Sequence, residues 1–225
     1  MILGLAAVRV GRYRSQISEH LEKELSVGRS ARGLLFLAAL LHDIAKPQTR
    51  TVEADTQRIR FLNHEDKGSE VARARTASLR LANDEIERVA IIISNHLRPA
   101  QLAQQGGVTP KAAYRFFKST GEAGVDVCLL TLADTLGKGG TEVDQEEWLA
   151  RINAVVTLLE ANFDRQNEVI KPPPLIGGDD VMRELNLQPG PRVGEILEAL
   201  REAQVAGEVK TREEAIQFVR KQEIS

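Results

Sequence analysis

Leu34, Leu37, Ala38, Leu41 and Ala45 recur at helical spacing, so the stretch LLFLAALLHDIA reads as one core helix. The sequence sets His42 on the border of that apolar stripe and Asp43 directly after it. A carboxylate buried among leucines is costly unless it is paired or bound to a cation. A fold built around this helix must therefore bring a partner to Asp43.

The rest of the chain repeats the helical pattern, and the predicted fold class is all-α. Residues 15–27 give a helix with Ile17, Leu21 and Leu25 four apart. Ser30 caps the core helix, which runs to about Ala45 and is stopped by Pro47. Residues 48–62 hold Thr, Val, Ile and Phe around a polar turn and read as a short hairpin or extended excursion. Asn63 or His64 opens a helix to about Leu81. Asn83 caps another, whose stripe is Ile86, Val89, Ala90 and Ile93. Thr109 with Pro110 is a cap followed by a favoured first-turn proline. VDVCLLTLADTLG and residues 144–162, which include Trp148, are further helices. KPPPLIGGDD at 171–180 reads as the clearest boundary. In the tail, Asp179 caps one helix, PGP at 189–191 starts a second that Gly207 ends, and Thr211 with Glu214 forms a capping box for the last. The expected organisation is a helical body over residues 14–165, a Pro/Gly-rich linker at 166–178 and a small helical tail at 179–225.

Composition narrows the function classes. Thirty basic residues stand against 32 acidic ones, for a net charge of −2. No global positive field marks a nucleic-acid binder, which leaves a local basic patch as the route to RNA. Aromatic residues make up only 4%, too few for a base-stacking platform. Cys128 is the single cysteine and lies in an apolar run, as expected for a reducing compartment without disulfides. No stretch approaches a membrane span. In MILGLAAVRVGRYR the basic residues follow the apolar run, the wrong order for a secretory signal. A cytoplasmic protein with no membrane partner is expected.

His42 and Asp43 have company. His64 begins HEDKG, His96 follows Ile93 by three residues on the edge of its stripe, and Asp134 sits in LLTLADTLG with Val127, Leu130 and Thr131 on the same face. Imidazoles and carboxylates projecting inward from separate helices suit a divalent cation, whether Mg, Mn, Ni, Fe or Zn. Such a site acidifies water and clamps a phosphoryl oxygen. Asp43 and Lys46 are the candidate catalytic residues, and Lys46 and Arg98 the candidate phosphate contacts. Singly, each has a plainer reading. His96 is then a core-edge histidine, His64 a helix-start residue, Asp134 a cap or an arginine partner, and Arg98 a partner of the helix dipole. Three of four histidines bordering apolar stripes favour the metal reading. His20, the fourth, reads as a solvent-edge residue. Lys111, Arg115 and Lys118 share one helix face and are the candidate RNA contacts, against the plainer reading of a solvated face.

LLHDIAKP resembles the HD superfamily of metal-dependent phosphohydrolases, in which an early His, a His-Asp pair and a late Asp bind metal. His42, Asp43 and Asp134 match the pair and the late Asp. His64 and His96 match the additional histidines of subsets that hold a second metal. Ala45 replaces the usual Gly of HDIGK. FLNHEDKGSEVA, SNHLRP, YRFFKSTGEAGVDVCLLTLAD and LIGGDDVMRELNLQPGPRVGEILEALREAQVAGEVKTREEAIQFV are similar to the C-terminal half of bacterial tRNA nucleotidyltransferases and poly(A) polymerases of the CCA-adding type. That likeness covers about residue 30 to the end and implies an HD body with a small helical tail that helps hold RNA.

The Gly-Ser turn and Asp-x-Asp pair of that family's nucleotidyltransferase head do not occur before residue 30, so nucleotide addition by this chain alone is not expected. No WEHT-like stretch supplies the early histidine. Either His20 substitutes or the first metal site is incomplete. The resemblance implies a metal-dependent phosphohydrolase acting on a phosphate ester or nucleotide. The alternative is an RNA-binding C-terminal portion with a vestigial HD site, whose partners are tRNA or other RNA and a separate nucleotidyltransferase head.

Overall fold

The computed structural model describes residues 8–139 and 144–222. The all-α class holds, with eleven α-helices and two two-stranded antiparallel sheets among the described residues. The chain forms two compact units. One comprises Met1–Gly107 with Ser119–Leu159, the other Val108–Lys118 with Glu160–Ser225.

In the first unit, α1 (Arg14–Glu22) is shorter than the expected helix over 15–27. Glu24–Ser26 (β1) instead pairs antiparallel with Arg29–Ser30 (β2). The turn between them places Gly28 at φ +74°, a left-handed conformation that glycine adopts without steric cost. Ser30 caps α2 (Ala31–Leu41) by accepting from the Gly33 N–H. The α-helix ends at Leu41, short of Ala45. Pro47 has no N–H to give the Asp43 carbonyl, and that carbonyl accepts from the Lys46 N–H at 3.0 Å instead. Residues 42–48 thus tighten into turns, and His42 becomes the C-cap.

Residues 48–62 form the hairpin: β3 (Arg50–Val52) pairs with β4 (Ile59–Phe61) in the register Arg50 to Phe61, Thr51 to Arg60 and Val52 to Ile59. Asn63 sits at φ +58°, a region Asn tolerates better than most residues. It turns the chain into α3 (His64–Ser78). The cap of α4 (Asn83–Asn95) is Ala82, not Asn83, and the Glu85 carboxylate accepts from the Ala82 N–H at 2.8 Å. Helix α4 packs against α2, α3 and α7 (Ala123–Gly139). Its Val89, Ala90, Ile92 and Ile93 are fully buried. A Cβ on Gly68 of α3 would stand 3.3 Å from Ile93 Cγ2 and 3.5 Å from the His42 carbonyl, so glycine permits this close approach. The unit also contains α5 (Arg98–Gln104) and most of α8 (Gln145–Phe163), with Trp148 buried.

The second unit holds most of α6 (Pro110–Thr120) and the tail helices α9 (Gly178–Leu185), α10 (Pro191–Val205) and α11 (Arg212–Lys221). Val181, Ile196, Leu200, Ala215 and Val219 form its core together with Ile176. Ile176 lies within the Pro/Gly-rich stretch. Thr109 accepts from the Ala112 N–H, and Thr211 and Glu214 form their capping box. At α9 the carboxylate that accepts, from the Gly177 N–H, belongs to Asp180 rather than Asp179. No helix among the described residues is long and apolar enough to cross a membrane.

Candidate metal centre

Three helix termini deliver three histidines in the same way. His42 is the C-cap of α2, His64 opens α3 and His96 is the C-cap of α4. Each ring points Nδ1 at the backbone carbonyl three residues earlier: His42 to Ala39 at 2.7 Å, His64 to Phe61 at 2.7 Å and His96 to Ile93 at 2.6 Å. A carbonyl only accepts, so Nδ1 carries the proton in each case. That arrangement turns Nε2 inward as the candidate ligand atom and fixes the ring orientation, as outer partners of metal-bound histidines do. The rings of His42 and His64 stand edge-on to His96, with centroids 5.2 and 5.3 Å away.

Asp43 lies at the meeting point. Its Oδ2 is 3.3 Å from His42 Nε2 and its Oδ1 is 3.4 Å from His64 Nε2. Asp134, from α7, brings Oδ1 to 3.3 Å from His42 Nε2. Two donor groups result, Asp43–His64–His96 and His42–Asp43–Asp134, each with ligand atoms within 4.8 Å of one another. Asp43 belongs to both. Asp43 Oδ1, His64 Nε2 and His96 Nε2 are buried without a hydrogen-bond partner among the described residues. Buried polar atoms are nearly always satisfied, and three such orphans directed at one point fit a cation. Thr131, one turn before Asp134, donates to the His96 carbonyl at 2.9 Å and ties the two helices together.

The electrostatics of the two groups differ. Hydrogen bonding to Asp134 and then Asp43 raises the His42 pKa to about 10. Burial lowers that of His96 to about 4, so His96 is neutral at pH 7 with a bare Nε2. Burial alone would push Asp43 upward, but the hydrogen bonds and charges of His42 and Lys46 outweigh it and hold the carboxyl well below its usual range.

Lys46 does not stand free for a substrate. Its Nζ lies 2.6 Å from Asp43 Oδ2, because the tight turns after Leu41 put the two residues on one side. Asp43 thus already has a cation from this chain, and a bound metal is not needed to offset its charge. Arg98 donates to Asn95 at 2.9 Å and to Ser119. His20 is not at the solvent edge. It lies 3.1 Å from Asp126 Oδ1 and 3.0 Å from Arg88 Nη2, and Arg88 reaches Asp126 Oδ2 at 2.5 Å. Asp126 is fully buried and needs such partners. His20 belongs to neither donor group. In the second unit, Lys111 pairs with Glu202 at 3.2 Å, Arg115 with Glu202 at 2.5 Å and Lys118 with Glu198 at 2.5 Å. These three cations face acids of α10.

Sequence reasoning does not find Thr131 as a clamp, nor the three carbonyls that set the histidine tautomers. The i−3 spacing of Ala39, Phe61 and Ile93 from their histidines is the only signal for the latter, and it is invisible until the helix ends are known.

Comparison with known proteins accords with this geometry. The model of the HD domain family matches residues 7–139. The chain is 38% identical over 187 residues to a CC-adding tRNA nucleotidyltransferase of Thermus thermophilus, covering 81% of this chain and 38% of that protein. It is 36% identical over 193 residues to an A-adding tRNA nucleotidyltransferase of Deinococcus radiodurans, covering 84% and 41%. A stretch of 51 residues is 49% identical to a CC-adding tRNA nucleotidyltransferase of Geobacter sulfurreducens, covering 23% and 12%. The chain spans about two-fifths of the length of the first two relatives. With its family match extending over more than half of the sequence, the chain belongs to the HD domain family.

Proposed function

We propose that this chain is a metal-dependent phosphohydrolase acting on phosphomonoesters, cyclic nucleotides or RNA ends. The observation that carries the reading is the sharing of Asp43 between two donor groups, with histidine Nε2 atoms aimed inward by their Nδ1 hydrogen bonds. Asp43, His64 and His96 would hold one divalent cation, and His42, Asp43 and Asp134 a second. When bound, such an ion supplies Lewis acidity and an activated water for attack on phosphorus. The chain's own residues do the rest. The carbonyls of Phe61 and Ile93 keep the His64 and His96 tautomers fixed. Lys46, paired with Asp43 at 2.6 Å, would be freed to meet a phosphate oxygen where that carboxylate holds a cation instead. His42 would have to give up its Nε2 proton to serve as a ligand in the second group. The test is metal analysis of the purified protein with a panel of phosphatase and phosphodiesterase substrates. Metal-dependent turnover abolished by Asp43→Ala supports the reading, and a protein that binds no divalent ion overturns it.

A second reading is favoured by one observation. Similarity to the tRNA nucleotidyltransferases covers 187 and 193 residues, beyond the 7–139 of the HD match. On this reading the chain is an RNA-binding portion that works with a nucleotidyltransferase head in the cytoplasm, and tRNA is its partner. Lys111, Arg115 and Lys118 would then exchange Glu198 and Glu202 for a phosphate backbone. Salt-dependent tRNA binding weakened by their substitution tests it.

A further inference from the structure

We infer that one face of the β3–β4 hairpin, carrying Arg50, Val52, Ile59 and Phe61, is a shelf for the leaving group of the phosphoester, and that it selects leaving groups with an apolar planar face such as a nucleobase. The inference rests on the phosphoester chemistry proposed for Asp43.

The ladder fixes which residues share the face. Arg50 opposes Phe61 and Val52 opposes Ile59. Opposed residues point the same way, as do residues two apart along a strand. The inner end of the shelf touches the metal centre. The Phe61 carbonyl accepts from His64 Nδ1 at 2.7 Å. Its ring lies 5.7 Å from Lys46 Nζ, which is itself 2.6 Å from Asp43. A phosphate drawn to Lys46 would therefore sit beside the Phe61 ring. Two residues outward, about 7 Å along the strand, Val52 and Ile59 are 46% and 47% exposed. Arg50 is exposed and forms no ion pair among the described residues, which places a cation beside the apolar surface.

The opposite face has another character. Thr51, Glu53, Arg58 and Arg60 lie on it. Glu53 pairs with Arg60 and accepts from Thr56 at 2.6 Å, so that face is polar. The hairpin is thus apolar with Arg50 at its edge on the side that leads to Asp43, and polar on the other. A ligand with a phosphate at one end and a flat, weakly polar body matches that sequence of surfaces. A sugar phosphate matches only its inner end.

The test compares adenosine 5′-monophosphate with ribose 5-phosphate, which carries a hydroxyl in place of the base, by calorimetric titration of the manganese-loaded full chain. The expected result is about tenfold tighter binding of the nucleotide, from burial of the base against Val52 and Ile59. Val52→Ser with Ile59→Ser should abolish that preference while ribose 5-phosphate affinity and manganese content stay unchanged. Val52→Ile with Ile59→Val, which keeps the face apolar, should preserve it. Equal affinities in the wild type, a preference that survives the double serine variant, or no binding of either ligand overturns the shelf. Hydrolysis is measured separately: preferential binding without turnover of any phosphoester counts against the phosphohydrolase and leaves the shelf standing.

Discussion

Nε2 of His64 lies 3.4 Å from Oδ1 of Asp43, and neither atom has a hydrogen bond among the described residues. Two buried acceptor lone pairs held that close repel each other unless something positive lies between them. His64→Ala should therefore lower manganese affinity at least tenfold while the far-ultraviolet circular dichroism is unchanged. The check is metal content after dialysis against graded free metal.

Lys46 neutralises Asp43 at 2.6 Å, and on the proposed reading it would also meet a substrate phosphate. Lys46→Met removes both contributions and leaves the ligands in place. It should retain bound metal and reduce kcat/KM about 100-fold, the scale of losing one donor to developing charge. A variant that loses its metal instead would make Lys46 a purely structural partner of Asp43.

Gly68 lets α3 approach the end of α2 and the side of α4. Gly68→Val would force those backbones apart and carry His64 with them. We expect a loss of about 1–3 kcal/mol of stability, the usual range for overpacking, and weakened metal binding. Denaturant unfolding with and without manganese measures both.

Glu85 is fully buried, caps α4 and pairs with Arg29 at 2.7 Å. The hydrogen bond from Arg29 holds its carboxyl below the ordinary 4.5 in spite of burial. A carboxyl with a depressed folded pKa contributes stability above its unfolded pKa and loses it as pH falls through the folded value. Glu85→Gln should thus cost about 1 kcal/mol near neutral pH. The gap to the wild type should narrow as pH drops below 4.5. Denaturation midpoints at pH 7 and pH 4 provide the check.

Much of the fold is legible in the sequence because its signals act locally. Ser30, Thr109 with Pro110, and Thr211 with Glu214 announce helix starts through bonds within four residues. Pro47 and Gly28 are harder. Each acts through the residues before it, so α2 ends at Leu41 and α1 at Glu22, earlier than periodicity suggests. Side-chain partners distant in sequence are not legible at all. His20 reads as a helix-edge residue until Arg88 and Asp126, 68 and 106 positions away, are brought to it. Lys111, Arg115 and Lys118 read as a basic stripe, and nothing near them announces Glu198 and Glu202. The ligand types at the candidate centre can be picked out as His and Asp on stripe borders. The pairing of Lys46 with Asp43 depends on where the helix stops.

The direct test of a cation site on Asp43 is anomalous diffraction from crystals of the full chain soaked in millimolar manganese, with Asp43→Asn as control. The expected result is a peak within about 2.0–2.6 Å of an Asp43 carboxylate oxygen and of Nε2 of His64 and His96, absent in the variant. A wild-type map with no peak at Asp43 would contradict it and leave the His-Asp pair as a structural feature of the helix end.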